Sequence, residues 1–388
     1  MFFVILAHQK FVMRKIQMVD LQAQYQFIKP KVDAGIQEVL STAQFINGPA
    51  VKDFQAKLEA YLGLKHVIPC ANGTDALQIA MMGLGLKPGD EVITADFTFA
   101  ATVEVIALLG LTPVLVDVLP DTFNIDPDAI EKAITPKTKA IVPVHLFGQA
   151  ADMNRIMDIA TAHNLYVIED NAQGIGSTFT DKQGNRVKTG GIGHVGSTSF
   201  FPSKNLGCYG DGGAIFTNDD DLAHTLRGVV NHGMYKRYHH DVVGVNSRLD
   251  SLQAVVLNEK LKLLDFYNER RKWAAIRYTQ LLLGHAKIET PVTSGDCDSH
   301  VYHQYTLKIV GADRDALVQH LQQNDIPCGV YYPIPLHLQK AYADSRYKEK
   351  DFVVTNQLVD QVISLPMHSE LDEEQIQFIC TTIRSFLD

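Results

Sequence analysis

Short apolar runs alternate with amphipathic stretches over residues 65–220, and this pattern limits the folds open to the chain. The pattern predicts strands at 66–70, 92–94, 113–118, 140–146 and 165–168, with helices at 74–82, 100–109 and 152–163. Strands that alternate with helices form a mainly parallel sheet covered by helices on both faces. We therefore predict an α/β fold whose ligands bind beyond the carboxyl ends of the strands.

The chain changes character after about residue 248. A long helical pattern spans 249–271, and a smaller α/β module follows with elements at 305–310, 315–323 and 329–332, before a closing helix at 372–386. A chain of 388 residues is long enough for two domains. We predict an N-terminal extension at 1–17, a large domain at 18–255 and a small C-terminal domain at 256–388.

Charge and cysteine content exclude several classes of protein. The net charge of −9 argues against general nucleic-acid binding. The five cysteines form no C-x-x-C pair, which is typical of a reduced cytoplasmic chain without disulfides or zinc. The apolar run at 1–7 is too short for a signal peptide or a membrane span, and Met13 or Met18 is a plausible natural start. We expect a cytoplasmic protein that binds no metal, nucleic acid or membrane.

Lys204 is the most informative single residue. It lies between the apolar segment at 195–201 and the glycine-rich turn at 207–213, whereas surface lysines usually have polar neighbours. Partial burial favours the neutral amine, which is a nucleophile near neutral pH. Such an amine can form a Schiff base with a carbonyl compound or with pyridoxal phosphate (PLP). A purely structural lysine is the alternative.

Three further segments suit a phosphorylated ring. Residues 72–77 join a strand to a helix N-terminus, which favours a phosphate, although simple N-capping by Thr74 is the alternative. Asp170 follows a strand and can hold a pyridinium N–H, or it caps the next turn. Phe97 and Phe99 follow another strand, where an aromatic side chain can stack on a flat ligand or pack in the core.

A turn at 244–250 leads into the long helical pattern. Asn246 and Arg248 in this turn can donate hydrogen bonds to anions, or they can serve capping and a surface ion pair. The basic and aromatic run at 234–240 ends in His239 and His240, for which a loop contact is favoured over a metal site. This run suits either a nucleotide clamp or a solvated loop.

These segments, in this order, resemble the DegT/DnrJ/EryC1/StrS family of sugar-nucleotide aminotransferases from about residue 19 to the C-terminus. Individually weak but jointly specific landmarks carry the resemblance: 72–77, 144–148, Glu169-Asp170, 199–207, 244–254, 332–337 and 365–368. The stretch 198–213 is most similar to a subgroup that aminates the 3-oxo group of UDP-N-acetyl-3-oxo-glucuronate for bacterial surface polysaccharides. The resemblance implies fold-type I, PLP as cofactor, glutamate as amino donor and a homodimer with shared active sites.

The resemblance also assigns roles to particular residues. Lys204 would bind the cofactor as a Schiff base and then move protons. The other implied cofactor contacts are Asp170 to the ring nitrogen, Gln173 to the ring hydroxyl, Phe99 to the ring face, Gly73, Thr74, Asp75 and Ser199 to the phosphate, and Asn246 to the phosphate from the second subunit. The implied substrate contacts are Arg248, Tyr331, Tyr332, His239 and His240.

The sequence departs from the family pattern at two positions. Asn171 stands where alanine is expected after Asp170, and Tyr331 stands where some similar enzymes have histidine. Arg248 still suits a substrate carboxylate, because a guanidinium binds a carboxylate through two hydrogen bonds.

Three alternatives remain beside a UDP-3-oxo-uronate aminotransferase. They are a sister enzyme for a dTDP-linked or 4-oxo sugar, a sugar dehydratase of the same fold, and a noncatalytic protein that kept the fold. The dehydratases have histidine at the lysine position, so Lys204 argues against them, and Lys204, Asp170 and Ser199 together argue against a noncatalytic protein.

Overall fold

A seven-stranded sheet dominates the structure, a computed structural model that describes residues 14–294 and 300–388. The strand order is β1-β9-β8-β5-β4-β2-β3, and β9 runs antiparallel to both of its neighbours in a sheet that is otherwise parallel. The strands of this sheet are β1 (His66–Cys70), β2 (Glu91–Ala95), β3 (Thr112–Val116), β4 (Thr138–Val142), β5 (Tyr166–Asp170), β8 (Val195–Ser199) and β9 (Gly213–Thr217). The predicted mainly parallel α/β sheet is confirmed.

Helices cover both faces of this sheet. They are α1 (Leu21–Thr42), α2 (Pro49–Leu62), α3 (Gly73–Gly83), α4 (Ala101–Leu108), α5 (Pro127–Ala133), α6 (Met153–His163), α7 (Asp220–Val229) and α8 (Ser251–Leu261). Two short hairpins, β6–β7 (Thr178–Thr180, Arg186–Lys188) and β10–β11 (Met234–Lys236, His239–His240), extend from it. Neighbouring residues of one strand pack into different apolar clusters. Val92 and Ile168 lie in one cluster, and Ile93 and Val167 lie in another. Burial on both faces explains the continuous apolar strands.

The smaller sheet near the C-terminus is antiparallel, with order β12-β13-β14 (Ile288–Glu289, Tyr305–Ile309, Val362–Leu365). The helices of this part are α9 (Leu264–Leu282), α10 (Arg314–Gln323), α11 (Val353–Gln361) and α12 (Glu373–Leu387). Ile16, within the predicted extension at 1–17, joins its apolar core, and Arg14 donates to the Glu370 carbonyl at 2.7 Å. Residues 1–13 of that extension lie outside the described residues.

The single helix predicted at 249–271 is wrong, because α8 and α9 are separate helices divided at Lys262–Leu263. Helix α8 packs against α1 and α2, whereas α9 packs Ala274 and Tyr278 into the core of the smaller sheet. Apolar periodicity continues across the break, so it gave no sign of the change in packing partner.

The element predicted at 329–332 is also not a strand. Gly329 makes one isolated bridge, to Ser364, and the chain then crosses to the large sheet. There the Tyr347 hydroxyl donates to the Pro113 carbonyl at 2.8 Å, and Asp117 accepts hydrogen bonds from the backbone N–H groups of Val354 and Thr355. Part of the C-terminal third thus packs on the large sheet, and the domain boundaries at 17/18 and 255/256 stay a prediction.

Two kinds of feature are absent from the described residues. None of the helices there is both long and apolar enough to cross a membrane. In the same ranges, 14–294 and 300–388, no three His, Cys, Asp or Glu side chains are grouped as metal ligands.

Candidate active site

The candidate site lies at the carboxyl edge of the large sheet. Asp170 ends β5 and Ser199 ends β8, its parallel neighbour. Two antiparallel pairings, β8 with β9 and β9 with β1, make β1 parallel to β8, so Gly73 after β1 reaches the same edge. Phe99 follows β2 at this edge too. The topology therefore gathers the predicted residues from four strands, as expected for open α/β sheets.

Lys204 and Asp170 interact electrostatically at the centre of the site. Lys204 is half-buried in a turn in which its N–H donates to the Phe201 carbonyl at 2.9 Å. Burial lowers the pKa of Lys204 to about 8, while the negative charge of Asp170 opposes that shift. A substantial fraction of the amine is therefore neutral near physiological pH, as a nucleophile requires.

The Asp170 carboxylate is fixed by two hydrogen bonds. The Thr102 hydroxyl on α4 donates to Oδ2 at 2.9 Å, and the Ala172 N–H donates to Oδ1 at 3.2 Å. The side chain is buried, so its oxygens have few orientations available. Thr102 could not be predicted from the sequence, because a helical threonine has no distinctive spacing relative to a strand-end aspartate.

Glu169 anchors the strand that presents Asp170. Its buried carboxylate accepts hydrogen bonds from the backbone N–H groups of Gly190, Ile192 and Gly193 at 2.6–2.7 Å, and contacts His145 Nε2 at 2.8 Å. Four partners for one buried carboxylate offset the cost of removing it from water. Glu169 and His145 stand in two of the landmark segments of the sequence, and the structure shows that they contact each other.

Asn171 faces away from the site. It is fully buried, and its side chain exchanges hydrogen bonds with Thr189, donating to the Thr189 carbonyl at 3.0 Å and accepting from its hydroxyl at 2.8 Å. Asn171 at this position therefore ties the loop that begins at Thr189 to the end of β5.

The N-terminus of α3 and the end of β8 form a narrow cradle. A Cβ atom added to Gly73 would lie 2.7 Å from Ser199 Cβ, so only glycine allows this approach. Helix α3 is capped by Asn72, whose Oδ1 accepts from the Asp75 N–H at 2.8 Å; capping by Thr74 is therefore wrong. The Asp75 carboxylate accepts from the Ser247 hydroxyl at 2.6 Å. Thr74 is left half-buried at a helix N-terminus, which favours anions.

Aromatic side chains form the other wall. The Tyr332 ring lies 6.2 Å from that of Phe99 and also contacts Tyr331 at 6.2 Å. The Gln173 amide donates to the Tyr332 hydroxyl at 3.2 Å and its oxygen accepts from the Phe147 N–H at 2.6 Å. Burial raises the pKa of both tyrosines. Phe99 is 57% exposed, which leaves a ring face open to a ligand.

Four predicted residues make no contact with this cluster within the described residues. His239 and His240 are exposed on the β10–β11 hairpin, and the exposed Asn246 pairs through its backbone with Asn231. Arg248 is half-buried, and no described hydrogen bond or ion pair involves its guanidinium. Ser247, between Asn246 and Arg248, nevertheless contacts Asp75, so the turn borders the cradle.

The sequence also gave no indication of His303. It is buried beside Lys204, and Nδ1 lies 3.3 Å from Asn205 Oδ1. Burial, followed by the charges of Lys204 and Arg271, holds the pKa of His303 well below its usual range, so the ring is neutral. His303 belongs to the C-terminal part of the chain, and only the tertiary structure brings it to Lys204.

The fold and this arrangement define a fold-type I PLP-dependent transferase, and more narrowly an aminotransferase. The model of the DegT/DnrJ/EryC1/StrS aminotransferase family matches residues 27–384, so the chain belongs to that family. The protein is thus a PLP-dependent aminotransferase, and the family prediction is confirmed.

Individual relatives support the assignment. The chain is 48% identical over 368 residues to UDP-2-acetamido-2-deoxy-3-oxo-D-glucuronate aminotransferase of Pseudomonas aeruginosa, covering 95% of this chain and 99% of that one. It is 44% identical to UDP-N-acetyl-3-dehydro-alpha-D-glucosamine 3-aminotransferase of Acidithiobacillus ferrooxidans, with 96% and 98% coverage. The solved structure of NtdA from Bacillus subtilis with bound cofactor PMP has a TM-score of 0.88 at 33% identity, covering 97% and 86%.

The residues present fit PLP. The Gly73–Ser199 cradle admits no side chain at the helix N-terminus, where a phosphate is favourable. The amine of Lys204 has a lowered pKa, as Schiff-base formation requires, and the fixed carboxylate of Asp170 suits a pyridinium N–H. These three features match the phosphate, the aldehyde and the ring nitrogen of PLP.

Proposed function

We propose that the protein transfers the amino group of L-glutamate to the 3-oxo group of a UDP-linked N-acetyl-hexuronate. The observation that carries the chemistry is the half-buried amine of Lys204 beside the fixed carboxylate of Asp170. The substrate class is supported by two relatives of 48% and 44% identity, both named for 3-oxo sugars attached to UDP.

Each residue of the site has a proposed task. When bound, PLP would supply an aldehyde that is reactive toward amines and a ring that withdraws electrons from the reacting carbon. Lys204 Nζ would hold the cofactor through its aldehyde and would then move a proton to and from the reacting carbon as general base and acid. Asp170 keeps a proton on the ring nitrogen, and Thr102 holds Asp170 in place.

The remaining groups bind and orient. Gln173 would contact the ring hydroxyl, and Phe99 would cover one ring face. Ser199 with the backbone of Gly73 and Thr74 would hold the phosphate. The predicted Asp75 contact is not available through its backbone, because the Asp75 N–H already donates to Asn72. Tyr331 and Tyr332 border the sugar, and His239 and His240 on the exposed hairpin bind the nucleotide. The second half of the reaction repeats the proton transfer in reverse after 2-oxoglutarate leaves, with the keto sugar as acceptor.

Arg248 is the proposed partner of the sugar carboxylate. Its guanidinium is half-buried and uses none of its donors within the described residues. A planar guanidinium binds a carboxylate through two hydrogen bonds. The second candidate substrate is UDP-N-acetyl-3-oxo-glucosamine, which the 44% identical relative favours. Its sugar is neutral, because C6 lacks this carboxylate.

A substrate comparison tests the proposal. Purified enzyme is assayed with L-glutamate and, in turn, the UDP-3-oxo-uronate, the neutral UDP-3-oxo sugar and a dTDP-3-oxo-6-deoxy sugar, with 2-oxoglutarate release as the measurement. We expect the highest kcat/KM with the uronate. Arg248→Gln should lower kcat/KM for the uronate about 100-fold, equivalent to two lost charge-assisted hydrogen bonds. It should leave the neutral sugar nearly unaffected.

Arg227→Gln, at an exposed arginine in the last turn of α7, is the matched control and should change neither substrate. Equal turnover of both UDP sugars by the wild type would contradict the assignment of the uronate as substrate and favour the substrate without the carboxylate. An equal loss of kcat/KM for both sugars in Arg248→Gln would have the same meaning. Turnover of the dTDP sugar alone would contradict both candidates.

We further propose a cytoplasmic homodimer that serves the synthesis of a bacterial surface polysaccharide. The exposed position of Asn246 next to the cradle suits a residue that completes the phosphate site of a second copy. Exposed apolar side chains on and after α1, including Phe27 and Ile46, supply surface for such a contact.

A further inference from the structure

A buried pair, Asp96 and His337, joins the end of β2 to the segment that precedes α11. The exposed fractions are 1% for Asp96 and 5% for His337. Asp96 Oδ1 accepts from the backbone N–H of His337 at 2.7 Å, and Oδ2 lies 2.6 Å from His337 Nδ1. The Asp96 carbonyl also accepts from the Leu336 N–H at 3.3 Å. Two hydrogen bonds therefore join residues 241 positions apart in the chain, and a third holds the neighbouring Leu336.

Both ends of this connection lead directly to the aromatic wall of the site. Asp96 lies just before Phe97 and Phe99 in the chain. His337 lies shortly after Tyr332, and two prolines between them restrict the backbone. The Tyr332 ring lies 6.0 Å from Phe97 and 6.2 Å from Phe99. The spacing of Phe99 and Tyr332 is therefore set by two segments that the Asp96–His337 contact holds together.

The imidazole ring is held in one orientation. It stacks on Phe352 with ring centres 4.2 Å apart and 13° between the planes. Nδ1 meets Asp96, whereas the buried Nε2 has no hydrogen-bond partner among the described residues. Leaving a buried nitrogen unpaired costs free energy, so an apolar side chain would serve packing alone better. The histidine instead supplies a directed donor to Asp96.

We propose that Asp96 and His337 are positioning residues that set the distance between Phe99 and Tyr332, and hence the binding of the cofactor ring and the keto sugar. This inference rests on the proposed function for the roles of Phe99 and Tyr332. Neither Asp96 nor His337 reaches the reacting atoms, so the pair acts on binding and leaves proton transfer at Lys204 intact.

The test compares three variants. His337→Phe keeps the ring stacked on Phe352 but loses the donor to Asp96. His337→Asn is the conservative variant, because its amide can place a donor near the position of Nδ1. Asp117→Asn is the matched control: Asp117 fastens the same C-terminal segment to the large sheet through Val354 and Thr355 but does not contact the aromatic wall.

Two readouts are measured beside thermal stability. The first is the dissociation constant for PLP, measured by absorbance titration of the apo-enzyme. The second is the pair of kinetic constants KM and kcat for the keto sugar, which shows whether binding or turnover is affected. We expect His337→Phe to raise both the PLP dissociation constant and KM about tenfold, the equivalent of one lost hydrogen bond to a charged group. The kcat should stay within about threefold, because remote positioning affects binding here.

His337→Asn should recover most of the loss, and Asp117→Asn should lower stability without changing either readout. Equal effects of His337→Phe and Asp117→Asn on PLP binding and KM, or no effect of His337→Phe on either, would overturn the proposal. If the wild type binds PLP but aminates none of the keto sugars offered, the substrate assignment fails while the PLP measurement still decides the role of the pair. If the wild type binds no PLP, both proposals fail.

Discussion

The chemistry at the residue scale depends on the environment of one amine. Lys204 lies in a turn after β8, where burial lowers its pKa to about 8 and the charge of Asp170 limits that shift. Desolvation disfavours the ammonium form, whereas the nearby carboxylate favours it. The amine is therefore reactive near neutral pH, yet still charged often enough to return a proton. The neutral His303 ring adds no charge to this balance.

The protonation of Lys204 in the apo-enzyme can be measured directly. Above pH 8 the amine is neutral and nucleophilic, so its reductive methylation should rise with a midpoint near 8. Exposed lysines should follow a midpoint of about 10.4. Peptide mass spectrometry after brief treatment with formaldehyde and cyanoborohydride measures all lysines in one sample, so the exposed lysines are internal controls.

Asp170→Asn gives the sign of the electrostatic coupling. Because the Asp170 charge raises the pKa of Lys204, its removal should move the midpoint to lower pH. A midpoint that stays unchanged, or that moves upward, would show that the two groups do not interact in this way.

At the scale of elements, the N-terminus of α3 and the end of β8 act as one unit. The close approach of Gly73 to Ser199 brings the N-terminus of α3 and the Ser199 hydroxyl to the same point. A helix N-terminus favours negative charge by its dipole and its unpaired N–H groups. The two elements are distant in sequence, and the β1–β9–β8 pairing brings them together.

Ser199→Ala should selectively weaken binding of the phosphate. We expect the dissociation constant of PLP to rise about tenfold, the equivalent of about 1.4 kcal/mol, while pyridoxal, which lacks the phosphate, binds as before. Absorbance titration of the apo-enzyme with each compound measures this difference.

Ser197→Ala is the control, because Ser197 lies two residues earlier on β8 and donates to the Glu169 carbonyl. It should affect PLP and pyridoxal equally. Equal weakening of both ligands by Ser199→Ala would contradict a phosphate role.

Arg271 on α9 connects the helix to the strands of the smaller sheet. Its guanidinium is 3% exposed and donates to the carbonyls of Tyr302, His303 and Met367 at 3.0–3.1 Å. Burial lowers its pKa to about 10, which still leaves it charged at neutral pH. Three carbonyls satisfy this charge without a carboxylate, and they fix the segment that presents His303 to Lys204.

Arg271→Met should therefore lower the free energy of unfolding by roughly 3 kcal/mol, because it leaves several buried carbonyls unpaired. The adjacent Arg270 is half-buried and donates to the Ser369 and Leu371 carbonyls, so Arg270→Met is a matched control. We expect it to cost about 1 kcal/mol, since water can replace its hydrogen bonds. Urea unfolding of both variants measures the difference, and a similar loss in both would contradict the burial argument.

At the scale of the whole molecule, the site is expected to be completed by a second copy. Asn246 is exposed beside the Asp75–Ser247 contact, and the hairpin with His239 and His240 extends from the same region. An exposed side chain near the phosphate cradle of its own subunit can contact the cradle of a second subunit when the two copies face each other across a two-fold axis.

Mixed dimers test this arrangement. Lys204→Ala and Asn246→Ala should each have little activity alone. A mixture that exchanges subunits should recover activity, because the hybrid dimer has one site with both residues intact. We expect up to about a quarter of wild-type activity for random pairing, since half of the dimers are hybrids with one intact site. No recovery, with exchange verified by mass spectrometry of differently tagged chains, would place Asn246 in its own subunit's site.

The sequence by itself determined most of the local elements and singled out the candidate reactive groups. Continuous apolar strands separated by amphipathic helices predicted the parallel sheet, because burial on both faces leaves a direct signature in hydropathy. Lys204 was recognisable because it lies between an apolar segment and a glycine-rich turn. Asp170 was recognisable because it ends a strand, where a parallel sheet places its ligands.

Only the tertiary structure decided which distant residues support that site. Thr102, His303 and the Asp96–His337 pair have no spacing that predicts them, since each contact joins parts of the chain that meet only after the sheet has formed. The division of residues 249–271 into two helices has the same cause: apolar periodicity shows that a surface is buried but not which neighbour buries it. Close packing between separate segments selects those partners, and it acts on the assembled fold.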